Sequence, residues 1–139
     1  MPLRGEECVY NFTEHTGEIM CIKWCPGGTG TANPNLPLRL ATASSDSTIK
    51  LWDIDKGKSA VTLKHHNSGV NTIAFSHDCE YLASGSDDGT VQLYSLRNQK
   101  LVKSLPVTGK VWEVAWSHDN QILAAAYSLS VLLLDLRYL

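Results

Sequence analysis

Apolar and polar positions along this chain alternate in short runs broken by Ser, Asp, Asn and Gly, and no segment sustains the spacing of an amphipathic helix. The clearest stretch is residues 40–54, LATASSDSTIKLWDI. Two β-type runs, Leu40 to Ser44 and Thr48 to Trp52, flank the polar turn Ser45-Asp46-Ser47, a pattern that predicts an antiparallel hairpin. Residues 82–96, LASGSDDGTVQLYSL, repeat the phrase with Tyr94 in place of Trp52, and residues 123–136, LAAAYSLSVLLLDL, repeat it again with Leu134. The offsets are 42 residues from Trp52 to Tyr94 and 40 from Tyr94 to Leu134. The first copy closes on Trp52-Asp53, and a period near 40 with that ending marks the four-stranded blades of a β-propeller. The expected fold class is all-β.

Taken in order, the pattern predicts a strand at Cys8 to Phe12, standing alone before the first full unit. Ile19 to Trp24 follows, apolar enough to be expected buried on both faces. Residues 26–37, PGGTGTANPNLP, are too rich in Pro and Gly for regular structure and lengthen the first hairpin. Trp24 and Leu40 are 16 apart, whereas Phe75 to Leu82 and Trp116 to Leu123 are each 7. After Ala60 to Leu63 the cycle restarts, giving Val70 to Phe75, Leu82 to Ser86, Thr90 to Tyr94 and Leu101 to Leu105. The last group is Val111 to Trp116, Ile122 to Ala126 and Val131 to Leu136. Asp88-Gly89 is a strong turn signal, because Gly accepts the positive φ of a tight hairpin.

The strands thus count one orphan (8–12), then four, four and three, in repeats spanning 13–55, 64–97 and 106–137 of a single domain, 1–139. Three four-stranded antiparallel blades, the last incomplete, are too few to close a ring. The chain is therefore expected to be the terminal part of a longer propeller or to join a second copy. Alone it would expose blade faces and a free edge at Val131 to Leu136.

Composition narrows the partners. A net charge of −2 with 12 scattered Lys and Arg offers no concentrated basic surface for nucleic acid or anionic membrane. No apolar run, Val131 to Leu134 included, is long enough to span a bilayer, and the first twelve residues lack the apolar core of a secretory signal. Cys8, Cys21, Cys25 and Cys79 show no paired spacing; Cys21 and Cys25 would lie roughly 13 Å apart on one strand, too far for a bridge. Reduced thiols and an intracellular compartment are expected.

Polar residues recur with the repeat. His15, Thr42, Asp46 and Trp52 in the first unit match His66, Ser84, Asp88 and Tyr94 in the second. Ser84, His66 and Asp88 have the makings of a hydrolase triad, but catalysis needs one site and not one in each unit. A buried relay from indole through hydroxyl and imidazole to carboxylate satisfies every group instead. Tyr94 leaves the second relay incomplete or water-bridged, and the third unit has Val107, Ala125, Ser128 and Leu134, so it must rely on apolar packing. His65-His66 lacks further ligands at metal-binding spacing, which makes one of them relay and the other loop. Gly27-Gly28-Thr29-Gly30 lacks the Lys-Ser/Thr of a phosphate loop. Trp112 is expected between blades in preference to an exposed contact position. No catalytic residue, cofactor or metal is expected.

These repeats resemble WD40 repeats, with His15, Thr42, Asp46 and Trp52 standing where that family keeps its structural tetrad. A narrower resemblance, to the transducin beta-like protein 1 family, is carried by three stretches: residues 24–35 (WCPGGTGTANPN), residues 43–53 (ASSDSTIKLWD), and the ending from Thr108-Gly-Lys-Val-Trp112 through Val131 to Arg137. Full-length members carry a LisH dimerisation motif and an F-box-like segment before an eight-repeat propeller, and this chain matches the last three repeats. The resemblance implies a partial WD40 propeller acting as a non-enzymatic protein-interaction scaffold in the nucleus. Its implied partners are corepressor subunits of histone deacetylase complexes, histone tails and ubiquitin-ligase components, with no direct sequence-specific nucleic acid and no membrane. Contact positions are expected in loops flanking the tetrads: Gly17, Glu18, Ser45, Ser68, Asp87 and Trp112. The alternative is a generic WD40 scaffold or substrate receptor in a ubiquitin-ligase or signalling assembly.

Overall fold

The computed structural model describes residues 8–137. Among them every regular element is a strand, and eleven strands form three antiparallel sheets. Blade one comprises β1 (Ile19–Trp24), β2 (Arg39–Ser44), β3 (Ile49–Asp53) and β4 (Lys58–Leu63). Blade two comprises β5 (Val70–Phe75), β6 (Tyr81–Ser86), β7 (Thr90–Ser95) and β8 (Lys100–Pro106). Blade three has β9 (Val111–Trp116), β10 (Ile122–Tyr127) and β11 (Ser130–Asp135). Strands are paired in chain order within each sheet, the meander of a propeller blade, so the fold is a partial β-propeller with an incomplete last blade.

The sequence repeat reappears as register. Trp24, Leu40 and Trp52 face one another across blade one; Phe75, Leu82 and Tyr94 do so in blade two, and Trp116, Leu123 and Leu134 in blade three. The β2–β3 and β6–β7 hairpins turn through left-handed residues at corresponding places, Ser47 (φ 75°) and Gly89 (φ 77°), and Ser128 (φ 49°) serves the tighter β10–β11 turn. Each inner strand also carries one bulge at the same place. Ile19 and Cys21 pair with Ser44 and Ala43, leaving Met20 outside the ladder. Asn71 is skipped between Val70 and Thr72, and Trp112 between Val111 and Glu113.

The core lies between sheets. Ala41, Ala43, Ile49, Leu51 and Leu63 of blade one pack against Val70, Ile73, Leu82 and Tyr94 of blade two. Ala83, Val91 and Leu93 pack in turn against Val111, Val114, Leu123 and Ala125 of blade three. Each fully buried Leu or Ile contributes roughly 1.5–3 kcal/mol by leaving water, so the stack is held mainly by these two layers.

Two expectations need correction. Residues 8–12 form no strand. Instead Phe12 stacks on Trp52 with ring centroids 4.2 Å apart, Tyr10 stacks on Phe12, and Glu14 accepts a hydrogen bond from Ser59 on β4. The segment lays its aromatic rings over Trp52 and against Gly57, beside the edge strand β4, without pairing to that edge. Nor is β1 buried on both faces. Cys21 points toward blade two, but Ile19, Met20, Ile22 and Trp24 are each about half exposed, since no sheet packs against their side of blade one among the described residues. At the other end β11 pairs only with β10, and Val131 and Leu133 are solvent-facing, as the pattern predicts.

Blades two and three approach closely at Gly85, where an added Cβ would collide with the Val111 side chain of β9 and also come within 2.9 Å of Thr72 Cγ2 on the adjacent strand β5. Gly85→Ala is therefore expected to push β9 away and lower the chemical-denaturation midpoint, at a cost of about 1–3 kcal/mol. A change within about 0.3 kcal/mol of wild type would contradict this packing.

Candidate interaction surface and the polar relays beneath it

At one end of blades one and two the loops are fixed from below by buried polar groups. In blade one the Trp52 indole N–H donates to Thr42 Oγ1 (2.9 Å), which pairs with His15 Nε2 (2.7 Å), while His15 Nδ1 pairs with Asp46 Oδ2 (2.8 Å). The Asp46 carboxylate can only accept, so His15 Nδ1 carries a proton and donates it to Asp46, and the Thr42 hydroxyl, which accepts from the indole, is free to donate its own proton to Nε2. The backbone N–H groups of Thr16 and Thr48 and the Thr48 hydroxyl also donate to Asp46 (3.0, 2.9 and 2.6 Å). Burial acts to raise the Asp46 pKa, but these donors outweigh it and hold the carboxyl well below the usual range.

Blade two repeats the arrangement as far as its third member. His66 bridges Asp88 Oδ2 (2.8 Å) and Ser84 Oγ (2.7 Å), and Asn67 N, Thr90 N and Thr90 Oγ1 donate to Asp88. Tyr94 closes differently from Trp52: its hydroxyl donates to Gln92 Oε1 (2.5 Å) on the same strand, and Gln92 Nε2 donates to the His65 carbonyl (3.2 Å). The relay is thus redirected through Gln92, a partner that sequence matching to Trp52 does not suggest. Burial pushes the Tyr94 phenol up to about 12. His66 takes the relay position, and exposed His65 lies beside the Tyr94 ring. Among the positions matched in blade three, Ala125 is buried, Val107 and Leu134 are half-buried and Ser128 is exposed, with the apolar members in the second core layer.

Above the relays lie the expected contact positions. Glu18 N donates to Ser45 Oγ (2.8 Å), Ser45 N donates to the Glu18 carbonyl (2.8 Å), and Gly17 packs so closely on Ser45 that a Cβ would overlap it. Ser45 in turn faces Gly69 of the next blade. Ser86 Oγ donates to the carbonyls of Ser68 (3.1 Å) and Gly69 (2.8 Å), and Asp87 N donates to Gly69 O (3.0 Å). Asn71 Nδ2 then spans Asp87 Oδ1 (2.7 Å) and the Val111 carbonyl (3.0 Å), carrying the connection into blade three beside Trp112. Gly17, Glu18 and Ser45 therefore form one bonded or packed turn and Ser68 and Asp87 another, the two meeting by packing of Ser45 on Gly69, and the second reaching the neighbour of Trp112 through Asn71.

Trp112 itself corrects an expectation. It is 57% exposed and not packed between blades, because the bulge removes it from the strand's alternation and aims it outward. Met20 and Asn71 occupy the equivalent bulges, and sequence reading passed over both. Aligning the second residue of each inner strand (Ile19-Met20, Val70-Asn71, Val111-Trp112) is the signal that finds them. No group of three or more His, Cys, Asp or Glu side chains able to hold a metal ion occurs among the described residues.

Loss of the Asp46 carboxylate strands the buried His15 side chain, so Asp46→Ala should cost about 1–3 kcal/mol, while Asp55→Ala on an exposed turn stays within about 0.5 kcal/mol. Equal melting shifts for the pair would refute the relay. Acid sensitivity has a defined sign. Burial lowers the His66 pKa despite Asp88, so the folded chain prefers neutral imidazole. The resulting stability is present above the unfolded value near 6.5 and is lost as pH falls below it. Asp46 and Asp88, both depressed, add their losses only below about pH 4. Melting temperature should decline from pH 7 to pH 5, and the decline should flatten in His66→Gln.

Comparison with known proteins agrees with this architecture. The family profile described as WD domain, G-beta repeat matches residues 6–53 and 57–95. The chain is 43% identical over 169 residues to the WD40 repeat-containing protein HOS15 of Arabidopsis thaliana, an alignment covering 91% of this chain and 28% of that protein. It is 42% identical over 172 residues to the F-box-like/WD repeat-containing protein TBL1X of Mus musculus, covering 93% and 33%. It is 32% identical over 122 residues to the small ribosomal subunit protein RACK1y of Oryza sativa, covering 88% and 34%. The chain thus spans about a third or less of the length of these relatives. Repeated blades, paired relays and the profile match together place the chain in the WD40 repeat family.

Proposed function

We propose that this chain is a non-enzymatic protein-interaction scaffold, the WD40 part of a transducin beta-like corepressor subunit that works with histone deacetylase on chromatin in the nucleus. The rim carries this reading. The turn of blade one is tied by hydrogen bonds to the chain entering its own inner strand and the turn of blade two to blade three, so both are presented with little conformational freedom, which lowers the entropic cost of docking a partner. Met20 and Trp112 supply apolar anchors there, and Glu18 and Asp87 supply negative charge suited to Lys- and Arg-rich segments such as histone tails. The 42% identity to TBL1X and the insertion at residues 26–37 favour the corepressor assignment. The similarity to RACK1y favours a second reading, a general WD40 scaffold that uses the same rim for other proteins.

Titration calorimetry with histone tail peptides separates the two. Under the corepressor reading, Glu18→Lys with Asp87→Lys weakens binding at least tenfold, about 1.4 kcal/mol, and because Asp87→Lys also breaks the bond from Asn71 and the Lys110 ion pair, Glu18→Lys alone should weaken binding with an unchanged melting temperature. Undiminished affinity in the double variant would dismiss these contact positions, and no binding by the wild-type chain would favour the general scaffold.

A further inference from the structure

The four cysteines show no pairing in the sequence, yet two of them meet in the fold. Cys25 lies just beyond the end of β1 and Cys79 in the turn between β5 and β6, 54 residues later, and their sulfur atoms are 3.0 Å apart. Cys79 holds φ at 60°, a left-handed conformation uncommon for a residue with a Cβ, at the place where blade three uses Asn120 (φ 63°). Both turns keep the same frame, Ser76 to Asp78 in one and Ser117 to Asp119 in the other, so the thiol is added to a conserved turn geometry within the chain. Asn33 of the insertion clamps the same junction: its side-chain amide donates to the carbonyls of Pro26 (2.6 Å) and His77 (3.0 Å). A cavity of about 270 Å³ opens onto the two sulfurs, lined also by Arg39, Phe75 and Leu36. It is ample for a small oxidant to reach them.

We propose that Cys25 and Cys79 are a modification site for two-electron oxidants of the peroxide class, and that their disulfide staples the insertion at residues 26–37 to blade two. Cys25 is the attacking thiol. It sits near the Arg39 guanidinium and within hydrogen-bond reach of the Cys79 sulfur, so both neighbours favour its thiolate. The thiolate attacks one peroxide oxygen, the O–O bond breaks, and the departing hydroxide takes up the proton released by Cys25 to give water. Cys25 is then a sulfenic acid. The Cys79 sulfur attacks the Cys25 sulfur, the S–O bond breaks, and the Cys79 proton leaves with the hydroxyl as a second water. Two thiols and one peroxide thus become one disulfide and two waters. Burial raises the pKa of both thiols, and the Cys25 sulfur with the nearby Asp78 and Glu80 carboxylates raises Cys79 further, to about 12, so the reaction is slow at neutral pH and accelerates as the thiolate fraction rises. Exposed Cys8 competes for oxidant without a partner, and Cys21 faces the Ile73 carbonyl, away from the pair.

Trypsin separates the relevant residues, placing Cys25 in the peptide 24–39, Cys79 in 65–97, and Cys8 with Cys21 in a third. The folded chain, treated with hydrogen peroxide and digested without reduction, should yield the 24–39/65–97 pair linked and lighter by two hydrogens. Its formation should quicken about tenfold per pH unit from pH 7 to 8. Cys25→Ser or Cys79→Ser should abolish it, whereas Cys21→Ser should leave it unchanged. If that pair is absent, or no more abundant than in the chain oxidised in urea, the proposal is overturned.

Discussion

A carboxylate that receives an imidazole proton on one oxygen and backbone N–H groups on both fixes more of this structure than its size suggests. Asp46 joins the loop before β1, 31 residues away at His15, to the β2–β3 turn and, through His15 and Thr42, to the third strand. Apolar layers set the spacing of the sheets but are indifferent to how a polar loop lies at their end. A directional bond network is not indifferent, since each buried donor left without an acceptor costs about 1–3 kcal/mol. Rigidity at the rim therefore originates below it, in groups no partner would touch.

The relay also has a graded history along the chain. Blade one closes it with an indole, blade two redirects it through Gln92, and blade three replaces it with Ala125 and Leu134 in an apolar layer. The family profile matches through residue 95, the region that holds both polar relays. Blade three keeps its register without one because β9 is held by Val111, Val114 and the close approach at Gly85. Relay and packing are alternative means of positioning the same turn.

Much of this was legible in the sequence, for physical reasons. A side-chain period of two along strands and a blade period near 40 both leave marks in one dimension, so the eleven full-unit strands and the grouping of His15 with Thr42, Asp46 and Trp52 could be read directly. Composition misled where burial depends on neighbours: Ile19 to Trp24 is apolar enough for a doubly covered strand, yet its outer side has no sheet upon it. The alternation at Cys8 to Phe12 reads as a strand, but its rings gain more by stacking on Trp52. The bulge that frees Trp112 is a property of pairing and shows in the sequence only once the inner strands are aligned on one another, whereas the meeting of Cys25 with Cys79 depends on how blade one docks against blade two and leaves no linear trace.

The bulges carry a consequence for how such a scaffold can diversify. Met20 and Trp112 contribute no rung to the ladders and stand about half exposed, so their side chains can be exchanged while every flanking pair keeps its partner, whereas Asn71 at the same place is held by its bonds to Asp87 and Val111. Preference for one ligand over another can then drift blade by blade at almost no thermodynamic penalty, and a novel specificity need not await a compensating change in the interior.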